Sequence, residues 1–196
     1  MHRNLIESQG VIKKVIESGG IKSFWIRSPL SSKLKPDQSV SHDGVCLTVE
    51  EVKSHSHRVT AIEETLQKTT LIQWQSGHHI NLERCMKLNA RLDGHLVQGH
   101  VDTTGVCIAR NEREGSTEYI IGYPETFAAN IIEKGSITVN GISLTAYNVT
   151  KNSFDVAIIP YTRNHTTINE LEPGKNVNLE FDMLGKYFRR IAELKS

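Results

Sequence analysis

Asp43-Gly44-Val45-Cys46-Leu47-Thr48 returns later in the chain as Asn140-Gly141-Ile142-Ser143-Leu144-Thr145. Around it, Glu64-Thr65 followed by Thr69-Thr70-Leu71 returns as Tyr161-Thr162 followed by Thr166-Thr167-Ile168. Asn81-Leu82-Glu83 returns as Asn178-Leu179-Glu180. Cys46 and Ser143, Thr65 and Thr162, and Asn81 and Asn178 all stand 97 residues apart. One period this long is a tandem duplication rather than a solenoid of short repeats. Two copies of one small domain imply two similar pockets, and two similar pockets suit two similar ligands.

The chain of 196 residues therefore divides into two units of about 90 residues, each large enough to fold. The expected division is 1–85, 86–182 and a C-terminal helix at 183–196. With 23 Lys+Arg against 22 Asp+Glu, the charge favours neither nucleic acid nor an anionic membrane as partner. No run of about 18 apolar residues is present to span a bilayer. Met1-His2-Arg3-Asn4-Leu5-Ile6-Glu7 lacks the apolar stretch of a signal peptide. Cys46, Cys85 and Cys107 are odd in number and have no metal-ligand spacing, so they read as reduced thiols in a cytoplasmic protein.

Most segments carry strand chemistry. Gly10 to Val15, Lys22 to Ile26, Ser39 to Val49, Gly135 to Thr145 and Phe154 to Ile159 mix β-branched and polar residues between turns. Asp43-Gly44 and Asn140-Gly141 tolerate positive φ, which predicts two tight hairpins. Many short strands favour closed sheets, which leave no exposed edge. Two stretches read as helix. Pro124 to Ile132 places Phe127, Ile131 and Ile132 on one face. Met183 to Lys195 places Leu184, Tyr187, Phe188, Ile191 and Leu194 on one side, with Lys186, Arg189 and Arg190 on the other. A helix this short must bury that stripe, either on its own barrel or against another subunit. The join near Asn89-Ala90-Arg91 has no Pro- or Ser-rich linker, so the two units should sit close together.

Gly94-His95-Leu96-Val97-Gln98-Gly99-His100-Val101-Asp102 holds two histidines, two glycines and a carboxylate. On a strand the two histidines would face opposite sides, which argues against a shared metal. One suits acid/base work and the other a structural hydrogen bond. Cys46 and Ser143 follow equivalent turns, with Thr48 and Thr145 on the same strand faces. These pairs either line a barrel end or wall a pocket in which one copy keeps a thiol and the other a hydroxyl. Ser143 has no Gly-x-Ser-x-Gly elbow. Nothing near Cys46 in the sequence lowers its pKa. No phosphate loop or dinucleotide fingerprint is present.

In this order and spacing the motifs resemble the riboflavin synthase family in its two-copy form. The resemblance is carried by Ser39 to Val49, Asn81-Leu82-Glu83-Arg84, Gly94 to Asp102 and Lys134-Gly135-Ser136. It continues through Asn140 to Thr145, Ile159-Pro160-Tyr161-Thr162 and Val177 to Asp182. It implies an all-β fold of two six-stranded Greek-key β-barrels with a C-terminal amphipathic helix. It implies a homotrimer with the active site between subunits, and an association with lumazine synthase. It implies that two molecules of 6,7-dimethyl-8-ribityllumazine react with each other, with no cofactor and no metal, giving riboflavin and 5-amino-6-(ribitylamino)uracil.

Position by position, the resemblance implies His100 and Ser143 as the groups near the reacting methyl and C7, with Thr145 beside them. Cys46 and Thr48 are their counterparts, Asp182 is a carboxylate reaching a neighbouring site, and Lys134 is a ligand contact. Further substrate contacts are implied for Ser39, Leu47 and Leu144. They are also implied for the strands Thr60-Ala61-Ile62-Glu63-Glu64-Thr65 and Ile158-Ile159-Pro160-Tyr161-Thr162-Arg163. The backbone of Gly99-His100-Val101 and Asn4-Leu5-Ile6 is expected to complete the two rings. The family begins Met-Phe-Thr-Gly-Ile where this chain has Met1-His2-Arg3-Asn4-Leu5. Either His2 stacks where the phenylalanine stood, or this end is an artefact and activity falls. Two other readings remain open: a lumazine-binding protein of the same fold without turnover, and a flavin-reductase barrel. Ser143, Thr145, His100 and Asp182 weigh against the first, and the lack of a nicotinamide-binding half weighs against the second.

Overall fold

The computed structural model describes residues 6–87, 89 and 92–195. The expectations for Met1 to Leu5, and for Ala90 and Arg91 of the join, lie outside the described residues. The first copy consists of β1 (Ser8–Ser18), β2 (Ile21–Arg27), β3 (Ser39–His42), β4 (Val45–Lys53), β5 (Ser56–Ala61) and β6 (His79–Arg84). They close into a barrel in the order β1-β2-β5-β4-β3-β6. The second copy has the same strand succession in β7 (Thr103–Arg113), β8 (Ser116–Gly122), β9 (Ser136–Val139), β10 (Ile142–Thr145), β11 (Ser153–Ile158) and β12 (Asn176–Phe181), as a six-stranded sheet in the order β10-β9-β12-β7-β8-β11 whose end strands β10 and β11 are not paired as a ladder.

Alternating inward residues fill each interior. Val40, Val59, Leu71, Ile80 and Leu82 of the first core are matched by Ile137, Val156, Ile168, Val177 and Leu179 of the second, all at most 1% exposed. In the second copy the seam between β10 and β11 is narrower. β4 and β5 pair from Val49 to Lys53, whereas β10 and β11 meet only at the Tyr147–Asp155 bridge. Asn148 explains the difference. Its φ of 48° turns the chain away, and its Nδ2 donates to Asp155 Oδ2 at 2.8 Å.

The two predicted hairpins form with Asp43 and Asn140 both at φ 46°. They stand back to back: a Cβ on Gly44 would lie 2.8 Å from the Gly141 nitrogen, so only glycine permits the approach. Asparagines cross between the barrels in both directions. Asn178 Nδ2 donates to the Asp43 carbonyl at 2.9 Å and Asn81 Nδ2 to the Asn140 carbonyl at 3.0 Å. Asn178 Oδ1 accepts from Thr70 N at 2.7 Å and Asn81 Oδ1 from Thr167 N at 2.8 Å. Apolar side chains are exchanged as well: Ile6 packs on the second core and Val101 on the first.

Three α-helices complete the fold: α1 (Glu63–Lys68), α2 (Pro160–His165) and α3 (Met183–Glu193). The continuous strands expected through Thr65 and Arg163 are thus corrected, since each chain leaves its barrel at Ala61 or Ile158 and turns into a helix. Glu63 and Glu64 favour that start by facing the helix dipole, and Pro160 does so at the first position, where it forfeits no helical hydrogen bond. Pro124 to Ile132 forms only a 3-10 helix over Glu125–Asn130. Phe127 stacks on Phe181 with ring centroids 5.2 Å apart, but Ile132 points outward at 70% exposure.

Helix α3 presents its polar side to its own barrel. Lys186 Nζ lies 2.7 Å from Asp102 Oδ2, Arg189 Nη1 donates to the Thr126 carbonyl at 2.9 Å, and Gly185 sits against the Asn130 carbonyl. Leu184, Tyr187, Phe188, Ile191 and Leu194 face outward, 49–71% exposed. Of the two ways to bury the stripe, packing on its own barrel is therefore not the one adopted.

Titratable groups are buried unequally in the two copies. His42 Nδ1 donates to the Val40 carbonyl, His57 Nε2 lies 2.9 Å from His42 Nε2, and Ser31 Oγ lies 2.8 Å from His57 Nδ1. Val139 and Phe154 hold the two histidine positions in the second core. Burial pushes the His57 imidazole down to about 4. Burial also pushes the Asp43 carboxyl up from 3.8 to about 8, against the hydrogen bond from Asn81 N and with added repulsion from Glu170. The folded state therefore keeps the Asp43 proton where the unfolded chain releases it, and stability is lost as pH rises from about 4 to about 8. Asp43→Asn copies Asn140. It should raise the melting midpoint at pH 8 by roughly 2–4 °C for each kcal/mol regained, and leave it nearly unchanged at pH 4. Calorimetry at both pH values checks this.

Candidate active site

The strands β10 and β11 splay beyond the Tyr147 bridge and open a cleft of about 630 Å³. Ser143, Leu144 and Thr145 line one side, Ala157, Ile158 and Ile159 the other, with Gly94, Lys134, Ser136, Tyr147 and Thr162 around the mouth. Cross-strand pairing sets Ser143 opposite Thr138 and Thr145 opposite Ser136. His95 bridges the first of these pairs: Nδ1 lies 2.7 Å from Ser143 Oγ and Nε2 lies 3.2 Å from Thr138 Oγ1. Burial holds the His95 imidazole below its ordinary range, with the charge of Asp182 acting in the opposite direction. The ring is thus neutral near pH 7. It can take a proton from Ser143 on one side while holding Thr138 on the other.

The histidine within hydrogen-bond distance of Ser143 is His95, which was not among the expected site residues. The segment before β7 is pinned by its backbone instead: Gln98, Gly99 and His100 N–H donate to the Glu180 carboxylate at 2.7–3.0 Å. Cys46 N donates to the Gly99 carbonyl at 2.8 Å. A Cβ on Gly99 would lie 2.7 Å from Cys46 Cβ, so this stretch of the second copy presses directly on the first copy's thiol strand. Asp182 caps α3, its Oδ1 accepting from Leu184 N at 3.0 Å.

In the first copy, Ser39 borders a second cleft of about 530 Å³ with Glu7, Gln38, Arg84, Cys85 and Lys87. Thr48 is exposed on β4, Leu47 is buried in the core, and Thr60 Oγ1 lies 2.7 Å from Ser23 Oγ. Ala61 is buried and Ile62 exposed. On α1, Glu63 accepts from Gln67 and Glu64 pairs with Lys68 at 2.9 Å, while the Thr65 carbonyl accepts from Thr69 Oγ1. On α2, Tyr161 stacks on His165 and is 67% exposed. Arg163 is drawn away from the Ser143 cleft by Glu112 at 3.0 Å and Thr117 at 3.2 Å. Asn4 and Leu5 lie outside the described residues. Among the described residues no cluster of His, Cys, Asp and Glu could hold a metal ion, and no helix is long and apolar enough to cross a membrane.

Ser136 and Tyr147 were not among the expected site residues. Period-two alternation from Ser143 through Thr145 reaches Tyr147, so its place was available in the sequence. Its hydroxyl donates to Glu118 Oε2 at 2.8 Å, and burial with that bond pushes its pKa up to about 12.

A family model described as the lumazine binding domain matches twice, at residues 4–85 and 98–182. Riboflavin synthase of Mycobacterium tuberculosis is 40% identical over 196 residues, 97% of this chain and 98% of the relative. That of Bacillus subtilis is 33% identical over 191 residues, 97% and 89% of the two chains. The structure of LumP complexed with riboflavin superposes with a TM-score of 0.87 over 92% of this chain and 99% of that one, at 20% identity, a likeness of fold. With two lumazine-binding domains and relatives this similar along nearly the whole chain, the protein belongs to the riboflavin synthase family.

All three cysteines are free. Burial pushes the Cys46 thiol up, so little thiolate forms near neutral pH, whereas Cys85 is exposed. Iodoacetamide at pH 8 should modify Cys85 at least tenfold faster than Cys46, as followed by peptide mass spectrometry.

Proposed function

We propose that the protein is a riboflavin synthase: two molecules of 6,7-dimethyl-8-ribityllumazine exchange a four-carbon unit and leave as riboflavin and 5-amino-6-(ribitylamino)uracil. The observation that carries this reading is the Ser143 hydroxyl, held by the buried His95 at the mouth of the cleft. The reaction needs a proton taken from the C7 methyl of one molecule and a nucleophile, such as water, added at C7 of the other. The Ser143–His95 pair suits the first step. Ser143 Oγ receives the methyl proton as its own passes to His95 Nδ1, and acid/base help of this kind is worth about 10²–10⁴-fold. Holding two reactants in register supplies roughly 7–11 kcal/mol more.

His100, Thr145, Cys46, Thr48 and Asp182 are proposed to complete the two facing sites, with Lys134 and Thr162 on the ligand. The outward apolar stripe of α3 supports association between copies; a cytoplasmic homotrimer in which a cleft of one subunit meets a cleft of the next is proposed on the family resemblance. Association with lumazine synthase is proposed on the family resemblance.

Purified protein mixed with the lumazine alone should form riboflavin, read by fluorescence. Ser143→Ala should lower kcat by about 10²-fold or more with little change in ligand affinity. Binding without turnover over hours would instead make the protein a lumazine carrier. Truncation after Asp182 should elute as smaller assemblies on a sizing column, and an unchanged volume refutes the helix-mediated trimer.

A further inference from the structure

The segment that enters the second barrel is gripped from two sides. The buried Glu180 carboxylate on β12 takes the N–H groups of Gln98, Gly99 and His100 at 2.7, 2.9 and 3.0 Å. Two residues further on, Asp102 N donates to the Leu179 carbonyl at 2.9 Å, and Asp102 Oδ2 accepts from Phe181 N at 2.9 Å. The same Oδ2 lies 2.7 Å from Lys186 Nζ on α3, with the two side chains only 19% and 26% exposed. Helix α3 therefore holds the far end of a stretch whose middle, at Gly99, rests against Cys46.

The first copy reaches a similar arrangement by its own means. Glu7 N donates to the Leu82 carbonyl at 3.0 Å, as Asp102 N does to Leu179, the residue 97 positions on. The Glu7 carboxylate then meets Arg84 Nε of β6 at 2.8 Å, a cation from its own barrel. Phe181 stands where β12 would need that arginine, so the cation comes from the helix instead. Lys186 bears on Glu180 as well. Burial raises the Glu180 carboxyl, while the bond from Gln98 N and the charge of Lys186 lower it. Lys186 thus favours the ionised carboxylate, which can accept all three N–H groups.

We infer that Lys186 is a positioning residue for the reaction: through Asp102 it holds Gly99 and His100 against the Cys46 strand, and so ties the shape of the site to the docking of α3. This rests on the riboflavin synthase reading. Lys186 acts through Asp102 and Glu180 rather than on a reactant. The two faces of the helix have separate tasks. Its outward stripe is left to meet another copy, while its polar face sets the segment that borders the chemistry. A helix that undocks loosens that segment at a distance from the reacting atoms, and a misplacement of about 1 Å at such a site costs on the order of 10²-fold in rate.

The test uses full-length protein and two readouts: deuterium uptake at the amides of residues 98–100, and turnover of the lumazine. Lys186→Gln should speed uptake there by about fivefold or more. It should lower kcat by about tenfold with KM within about twofold. Lys186→Arg should restore both, and adding Asp102→Asn to Lys186→Gln should cost nothing further. Arg189→Gln, which frees the same helix face from the Thr126 carbonyl, should leave uptake at 98–100 unchanged. Uptake unaltered in Lys186→Gln, an equal rise in Arg189→Gln, or a kcat loss that Lys186→Arg fails to restore each overturns the inference. Wild-type protein that forms no riboflavin, while its uptake responds to Lys186→Gln as stated, overturns the underlying reading instead.

Discussion

The structure depends on a reciprocal exchange between its two barrels. Each lends the other an asparagine, and an apolar residue from the segment before its first strand. Asn81 and Asn178 are both almost fully buried, so in the folded chain their amides are satisfied by the facing barrel. Removing either side chain while the barrels stay joined would leave the backbone N–H of Thr70 or Thr167 buried without its partner, at a cost of about 1–3 kcal/mol. The duplication is therefore more than two beads on a string. The exchange fixes the angle at which the hairpins carrying Cys46 and Ser143 emerge, and it places Gly99 against the Cys46 strand.

Within that symmetric frame the chemistry is asymmetric. Asn140 is neutral where Asp43 is ionisable, Val139 and Phe154 replace a histidine pair, and Lys134 stands where the first copy has Asp37. Shared positions hold the barrels together. Unshared ones give the copies different charge and different proton affinity. On the proposed riboflavin synthase reading, a reaction between two like molecules that must play unlike roles calls for such a division: equal scaffolds to hold them, unequal groups to polarise them.

Helix α3 follows the same economy. Its charged face is occupied by Asp102, Thr126 and Asn130, which leaves the apolar face exposed among the described residues. An isolated chain exposing five large side chains in one stripe has a ready surface for association.

The repeat, the two hairpins, the strand-rich fold and the terminal helix were all legible in the sequence, because each rests on local rules. Asp-Gly and Asn-Gly accept positive φ, β-branched residues alternate on a pleat, and apolar residues recur at helical spacing. Tertiary packing alone decided the rest. Both His95 and His100 were visible, but only the fold of the segment before β7 brings one ring between Ser143 and Thr138. The stripe of α3 was visible too, but its direction depended on which carboxylates and carbonyls lay nearby to receive Lys186 and Arg189. The short helices after Ile62 and Ile159 were read as strand because six residues carry too little periodicity to declare themselves. Sequence by itself determined which elements form and that they form twice. The contacts between distant residues, which no local pattern encodes, decided which groups meet.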